Sequence, residues 1–179
     1  MPIFKTVLNV FALQKAPAIV ISAGVALIAA LVLQHLFAWE PCPLCILQRL
    51  AVIGVLAGSG LAWVIGGEGS GRKGALVVTG AFTLSGILAC LAHLWVLWGP
   101  ASQSCGPSLK QWVGAMVEAL PGSGWLFSAT ADCALASDTL LGLPLPCWAL
   151  LLFSLQFGLL FLNHRGVFPA GSAGGNSLA

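Results

Sequence analysis

The residues with the most chemical potential are the six cysteines, and two of them stand together as Cys42-Pro43-Leu44-Cys45. This C-x-x-C falls where a short link turns into a long apolar run. One thiol therefore sits in the first turn of a helix, beside unsatisfied N–H groups and the positive end of the helix dipole. Such a setting favours the thiolate and makes the pair exchangeable. Arg49 follows Cys45 by four positions, which on a helix puts guanidinium and sulfur on one face. A permanent positive charge there favours thiolate and can also stabilise a reduced, anionic oxidant held beside it. Arginines near helix ends also snorkel as simple membrane anchors, but the C-x-x-C one turn earlier favours the redox role. Zinc is the competing use of C-x-x-C, and the distant Cys105 and Cys133 are poor completing ligands for a four-cysteine site. Thiol–disulfide exchange is the preferred chemistry, with no metal.

The elements that must hold these residues are membrane helices. Of the 179 residues 59% are apolar and 7% charged, about a quarter of the charged share of a soluble domain. A water-soluble fold is thereby excluded. The net charge of +2 comes without a basic cluster, which removes nucleic acid as a partner. No charge interrupts Ala16 to Trp39, Leu50 to Gly67, Gly74 to Leu109 or Thr139 to Asn163, and each stretch is long enough for one crossing. In hydrocarbon only helices or closed barrels satisfy the backbone, and no strand alternation is present. The expected fold is an all-α membrane protein, a four-transmembrane-helix bundle in one domain over residues 1–165, with approximate spans 17–38, 46–66, 75–97 and 146–163. Lys5, Lys15, Arg72, Lys73 and Arg165 fall on one side, against Lys110 and the membrane-edge Arg49 on the other. The excess of positive charge makes that side, with both termini, cytoplasmic. Residues 166–179, rich in Gly, Ser and Ala, are expected to be a disordered tail.

That topology puts Cys42 and Cys45 in the first outward link, and Cys105 and Cys133 in a second outward loop, approximately 98–145, whose length suggests function. Cys90 in mid-span and Cys147 at the start of the fourth span read as small packing residues. Within the long loop, Leu109, Trp112, Val113, Met116, Val117 and Leu120 recur at helical spacing, the pattern of a short interfacial helix. The same stripe would also suit a helix packed on the bundle. His93 lies near the outer end of the third span, and Gln34 and His35 approach the same edge from the first. The tryptophans, Trp39, Trp98 and Trp148 among them, cluster at expected interfaces, as an aromatic belt does without further function. Outward cysteines also serve as structural staples, so a four-span scaffold with two structural disulfides is the alternative from another class.

The string Cys42-Pro43-Leu44-Cys45-Ile46-Leu47-Gln48-Arg49, then His93, Ser104-Cys105-Gly106-Pro107, Asp132-Cys133-Ala134 and Leu141-Gly142-Leu143-Pro144-Leu145-Pro146-Cys147-Trp148, resembles the disulfide bond formation protein B (DsbB) family. The resemblance covers nearly the whole chain except its ends. It implies a bacterial inner-membrane thiol:quinone oxidoreductase with periplasmic loops. A DsbA-type periplasmic dithiol oxidase would be its partner, and ubiquinone or menaquinone its acceptor. It further implies that Cys105 pairs with Cys133 and Cys42 with Cys45. The partner would attack Cys105, Cys133 would attack Cys42, and Cys45 would pass electrons to a quinone bound near Arg49 and His93. Two related readings are a sister oxidase serving a dedicated partner, and a vitamin K epoxide reductase-like protein, in which the loop cysteines would precede the C-x-x-C. Asp138 stands where many relatives carry a tryptophan near the quinone.

Overall fold

The structure is a computed structural model that describes residues 15–66, 69–99, 105–119, 123–134 and 139–167. It is mostly helical, in the order α1 (Lys15–Leu36), α2 (Pro43–Ile65), α3 (Ser70–Trp98), α4 (Pro107–Ala119), α5 (Gly124–Phe127), a hairpin of β1 (Thr139–Leu140) and β2 (Leu143–Pro144), and α6 (Leu145–Val167). Three stretches are long and apolar enough to cross a membrane, Pro17–Leu36, Pro43–Ile65 and Ser70–Trp98, and α6 holds a shorter apolar stretch, Leu145–Phe161.

The helix ends follow from local chemistry. α1 stops where Ala38 turns left-handed at φ 53 and the Trp39 N–H returns to the Leu33 carbonyl at 3.3 Å, an αL-type cap made without glycine. α2 starts at Pro43, three residues earlier than its apolar pattern suggests, because Cys42 is its extended N-cap and Pro43 occupies the first helical position with φ already set for a helix. α3 likewise begins at Ser70 and takes Arg72 and Lys73 into its first turns. α6 runs through Val167, two residues into the segment expected to be a tail. Residues 168–179, and with them the rest of that expectation, lie outside the described residues, as do Lys5, Ser104, Leu120 and Asp138. The hairpin was not expected; Leu141 and Gly142 both take positive φ, 55 and 80, the backbone of a tight two-residue turn.

Helices α1, α2, α3 and α6 pack side by side around Ile19, Ala23, Val52, Val55, Cys90 and Phe153. Lipid tails are as apolar as leucine, so close backbone approach matters more here than the hydrophobic effect. Glycines supply it: Gly54 lies under the Phe82 ring, and Gly86 under that of Phe153, leaving no room for a Cβ. Buried hydroxyls are satisfied within their own helices, Thr79 to the Ala75 carbonyl and Thr83 to the Thr79 carbonyl, each at 2.8 Å. That removes the cost of burying an unpaired polar group.

Candidate active site

One end of the bundle gathers Cys42, Cys45, Arg49, His93, Cys105 and Cys133. As the N-cap of α2, Cys42 receives the Cys45 N–H on its own sulfur at 3.4 Å, while the Ile46 N–H meets the Cys42 carbonyl at 3.1 Å. This cap folds the two sulfurs together: Cys42 Sγ donates to Cys45 Sγ at 3.1 Å, and both thiols are free. The Cys42 thiol is pushed up from its ordinary value by this hydrogen bond and by burial. The proton of the pair therefore resides on Cys42 and points at Cys45.

His93 reaches both sulfurs from α3. It is fully buried, with Nε2 3.7 Å from Cys42 Sγ and Nδ1 4.0 Å from Cys45 Sγ.

Cys105 and Cys133 form a disulfide across 28 residues, with Cα atoms 5.5 Å apart, within the span a disulfide requires. The loop is docked by backbone bonds, because the Thr130 and Ala131 N–H groups both donate to the Pro41 carbonyl, at 3.1 and 3.4 Å. One residue beyond that carbonyl is Cys42, so the docking carries Cys133 against it. The sulfurs of Cys42, Cys105 and Cys133 lie within 4.8 Å of one another. Cys133 and Cys42, in the middle of the set, are fully buried, whereas Cys105 and Cys45 at its two ends are half-buried. α4 supports this placement by setting Val113, Met116 and Val117 against Ile46, Leu50 and Ile53 of α2. Of the expected apolar stripe, Trp112 alone among the described members stays more than half exposed, at 52%.

Cys45, Gln48, Arg49 and His93 form one end of a cavity of about 770 Å³, continued by Ile21, Val25, Ala29 and Leu33 of α1 and by Trp148 and Phe153 of α6. Along α1 the lining runs from Leu33 to Pro17, about 24 Å at 1.5 Å per residue. Arg49, only 8% exposed, donates through Nη1 to the Gln34 side-chain oxygen and to the Leu126 carbonyl at 2.9 Å, and through Nη2 to the Ala30 carbonyl at 3.4 Å. Sequence reasoning missed Gln48, whose buried Nε2 has no partner among the described residues. Its signal was present all the same, as a polar residue in a membrane helix one position before Arg49.

A paired-thiol site on a membrane helix, with a second cysteine pair docked against it, belongs to the class of membrane disulfide oxidoreductases. The comparisons give the family. Residues 14–163 match the model of "Disulfide bond formation protein DsbB". The chain is 37% identical over 151 residues to disulfide bond formation protein B of Marinobacter nauticus, covering 80% of this chain and 86% of that protein. It is 36% identical over 129 residues to the protein of the same name from Stutzerimonas stutzeri (69% and 77%), and 33% identical over 131 residues to that of Aromatoleum aromaticum (70% and 75%). The chain belongs to the DsbB family. It is a multi-pass membrane disulfide oxidoreductase acting in disulfide bond formation.

Proposed function

We propose that this enzyme oxidises a DsbA-type periplasmic dithiol protein and delivers the electrons to a membrane quinone. The observation that carries this reading is the line of four sulfurs, which starts at half-buried Cys105 in the loop, passes through fully buried Cys133 and Cys42, and ends at Cys45 on the cavity wall. A soluble partner reaches only the first, and a lipid-soluble acceptor meets only the last.

The exchange steps balance sulfur by sulfur. The partner thiolate attacks Cys105, and the Cys105–Cys133 bond breaks with Cys133 leaving as thiolate. Cys133 attacks Cys42 of an oxidised Cys42–Cys45 pair, and Cys45 leaves as thiolate. The partner's second thiol then closes the partner's own disulfide and releases Cys105. Cys105 attacks Cys133, re-forming the loop disulfide and returning Cys42 to thiol. Reduced Cys42 and Cys45 beside an oxidised loop pair is the state in this structure. His93, in reach of both sulfurs, is placed to hold the proton that must leave when the pair closes.

The cavity fits a quinone. Its polar end offers a guanidinium, an imidazole and the Gln48 amide nitrogen, unpartnered among the described residues, and donors of this kind suit carbonyl oxygens that gain negative charge. Its long apolar remainder suits an isoprenoid chain. A quinone bound there supplies a two-electron, two-proton acceptor. Arg49 and His93 are assigned to holding it, and Cys42, Cys45, Cys105 and Cys133 to the exchange.

In the proposed topology α1, α2, α3 and α6 are four spans in the bacterial inner membrane, α4 is the interfacial helix, and both termini are cytoplasmic. The starts of α1 and α3, the latter with Arg72 and Lys73, support this orientation, since they lie at the end of the bundle away from the cysteines. The test uses the purified protein with a reduced DsbA-type protein as donor and a short-chain ubiquinone as acceptor. One quinone should be reduced per partner disulfide formed, and absence of quinone reduction overturns the reading. In reduced spheroplasts, an impermeant thiol reagent should label Cys105. Cys133 is fully buried and should label far more slowly.

A further inference from the structure

Beyond the four sulfurs, the densest set of polar contacts at the outer end joins three distant parts of the chain around Arg49. Gln34, near the end of α1, accepts from Arg49 Nη1 with its side-chain oxygen and donates from Nε2 to the Trp125 carbonyl at 3.4 Å. The next carbonyl, that of Leu126, takes Arg49 Nη1 at 2.9 Å. His35 Nε2 lies 3.1 Å from the same Trp125 oxygen, with its ring centroid 6.3 Å from that of Trp125. Both carbonyls belong to α5, the single turn that lies between Cys105 and Cys133 in the chain. Gln34 and Arg49 also line the same end of the cavity.

An arginine side chain has several rotatable bonds, so its charge marks a fixed place only when fixed acceptors hold it. The acceptors of Arg49 among the described residues are one amide oxygen and two backbone carbonyls. All are neutral. They orient the guanidinium without neutralising it, so a positive charge remains at the end of the cavity that Cys45 and Glu40 also line. Of the three, the Gln34 oxygen is the side-chain acceptor, and so the one a single substitution removes. Gln34 is also the one that touches the loop with its other end.

We propose that Gln34 is a positioning residue of the acceptor site, which acts by holding the Arg49 guanidinium toward the cavity. This rests on the reading of Arg49 as a quinone-holding residue. Gln34 itself transfers neither electrons nor protons. Its two contacts have separable consequences. The oxygen sets the cation, and the amide nitrogen, together with His35, fastens α5 to α1.

The experiment measures binding of a short-chain ubiquinone to the purified protein by quenching of tryptophan fluorescence. Alongside it are the quinone KM and the stoichiometric exchange of the Cys105–Cys133 disulfide with a reduced partner. Loss of one hydrogen bond predicts that Gln34→Leu weakens quinone binding and raises quinone KM by about threefold to tenfold. Loop-disulfide exchange should stay at the native rate, which also reports that the variant is folded. Gln34→Glu puts a carboxylate against Arg49 and loses the donor to Trp125, and should weaken binding at least as much as Gln34→Leu does. His35→Ala loses only the loop contact and should bind quinone normally.

Native binding in Gln34→Leu overturns the proposal. So does native binding in Gln34→Glu, which would show that the charge held by Gln34 does not matter to the ligand, or a His35→Ala defect as large as that of Gln34→Leu, which would place the effect in the loop tether. Arg49→Gln is measured in parallel. If it leaves binding unchanged, the quinone reading of Arg49 fails; if it weakens binding while Gln34→Leu does not, only the role of Gln34 fails.

Discussion

The two cysteine pairs hold the same chemistry on opposite kinds of scaffold. Cys42 and Cys45 are three residues apart and set by one helix cap, with Pro43 fixing the first turn and the Cys45 N–H bonded to the Cys42 sulfur. Cys105 and Cys133 are 28 residues apart, on a loop held to the bundle by two N–H bonds to one carbonyl and by the α4 face. The helical pair cannot travel. The loop pair is expected to be released without unfolding a span, because its docking bonds, to Pro41 and from Arg49, Gln34 and His35, join the loop to the bundle and are not part of any span's own helical ladder. An enzyme linking a soluble protein to a membrane acceptor needs this inequality, since a single rigid pair could not meet both.

The largest expected effect comes from removing sulfur at either pair. Cys42→Ser, Cys45→Ser, Cys105→Ser and Cys133→Ser should each lower quinone-linked partner oxidation by more than about a hundredfold, as loss of a nucleophile does. Cys90→Ser and Cys147→Ser should retain turnover, because both cysteines lie outside the line of sulfurs. The assay is partner oxidation by membranes with matched expression. Retained turnover in Cys133→Ser would break the comparison, since the loop pair would then be dispensable.

Arg49 separates the pairs by function. In Arg49→Gln the quinone KM should rise about tenfold or more, the scale of a lost hydrogen bond to a charged group. Stoichiometric exchange between the partner and Cys105–Cys133 should persist. Arg49→Lys should fall between, keeping charge but losing the planar fork. Slowed partner exchange with unchanged quinone kinetics would show that the arginine serves the loop through Leu126 and not the cavity.

Within the helical pair, the raised Cys42 thiol predicts an order of alkylation. A group whose folded value is raised keeps its proton as pH climbs through the ordinary thiol range, and alkylation requires thiolate. In the reduced protein at about pH 8, below the ordinary thiol value of about 8.5, iodoacetamide should therefore modify Cys45 ahead of Cys42. In Cys45→Ala the hydrogen bond that raises Cys42 is gone, and its labelling should quicken. Peptide mapping of both samples reads the order. Faster labelling of Cys42 in the native protein would reverse the proton assignment.

These differences were unevenly legible in the sequence. The apolar runs located the helices, and the C-x-x-C with Arg49 located the helical pair, because both signals are local and periodic. The helices begin three and five residues before the expected spans, at Pro43 and Ser70, where a cap and a first turn, not hydropathy, decide the boundary. The contacts that dock the loop were not legible. Arg49 meets Leu126 across 77 residues and His35 meets Trp125 across 90, through backbone carbonyls that carry no residue identity. The full burial of Cys133 beside half-buried Cys105 was hidden for the same reason, since it follows from Thr130 and Ala131 bonding to Pro41. The apolar stripe after Cys105 is helical, as its spacing predicts, yet Val113 faces α2 while Trp112 faces outward. Periodicity alone does not say which neighbour a face will meet.

That face gives the smallest test of the comparison. Val113 is buried to 1% exposure against Ile46 and Phe127, so Val113→Ala removes two methyl groups from the contact between α4 and α2, at about 1 to 2 kcal/mol. If the loop opens as a unit of its own, the loss acts on that opening and leaves the spans alone. Amide hydrogen exchange over Pro107–Ala119 should then quicken by about fivefold to thirtyfold, the population change such an energy produces. Exchange in the middle of α2, around Val52 and Val55, should not change. Turnover should move little, since the Thr130 and Ala131 bonds to Pro41 still seat Cys133. Equal acceleration in α2 would mean that loop and bundle open together, and the distinction between a fixed pair and a movable one would have to be given up.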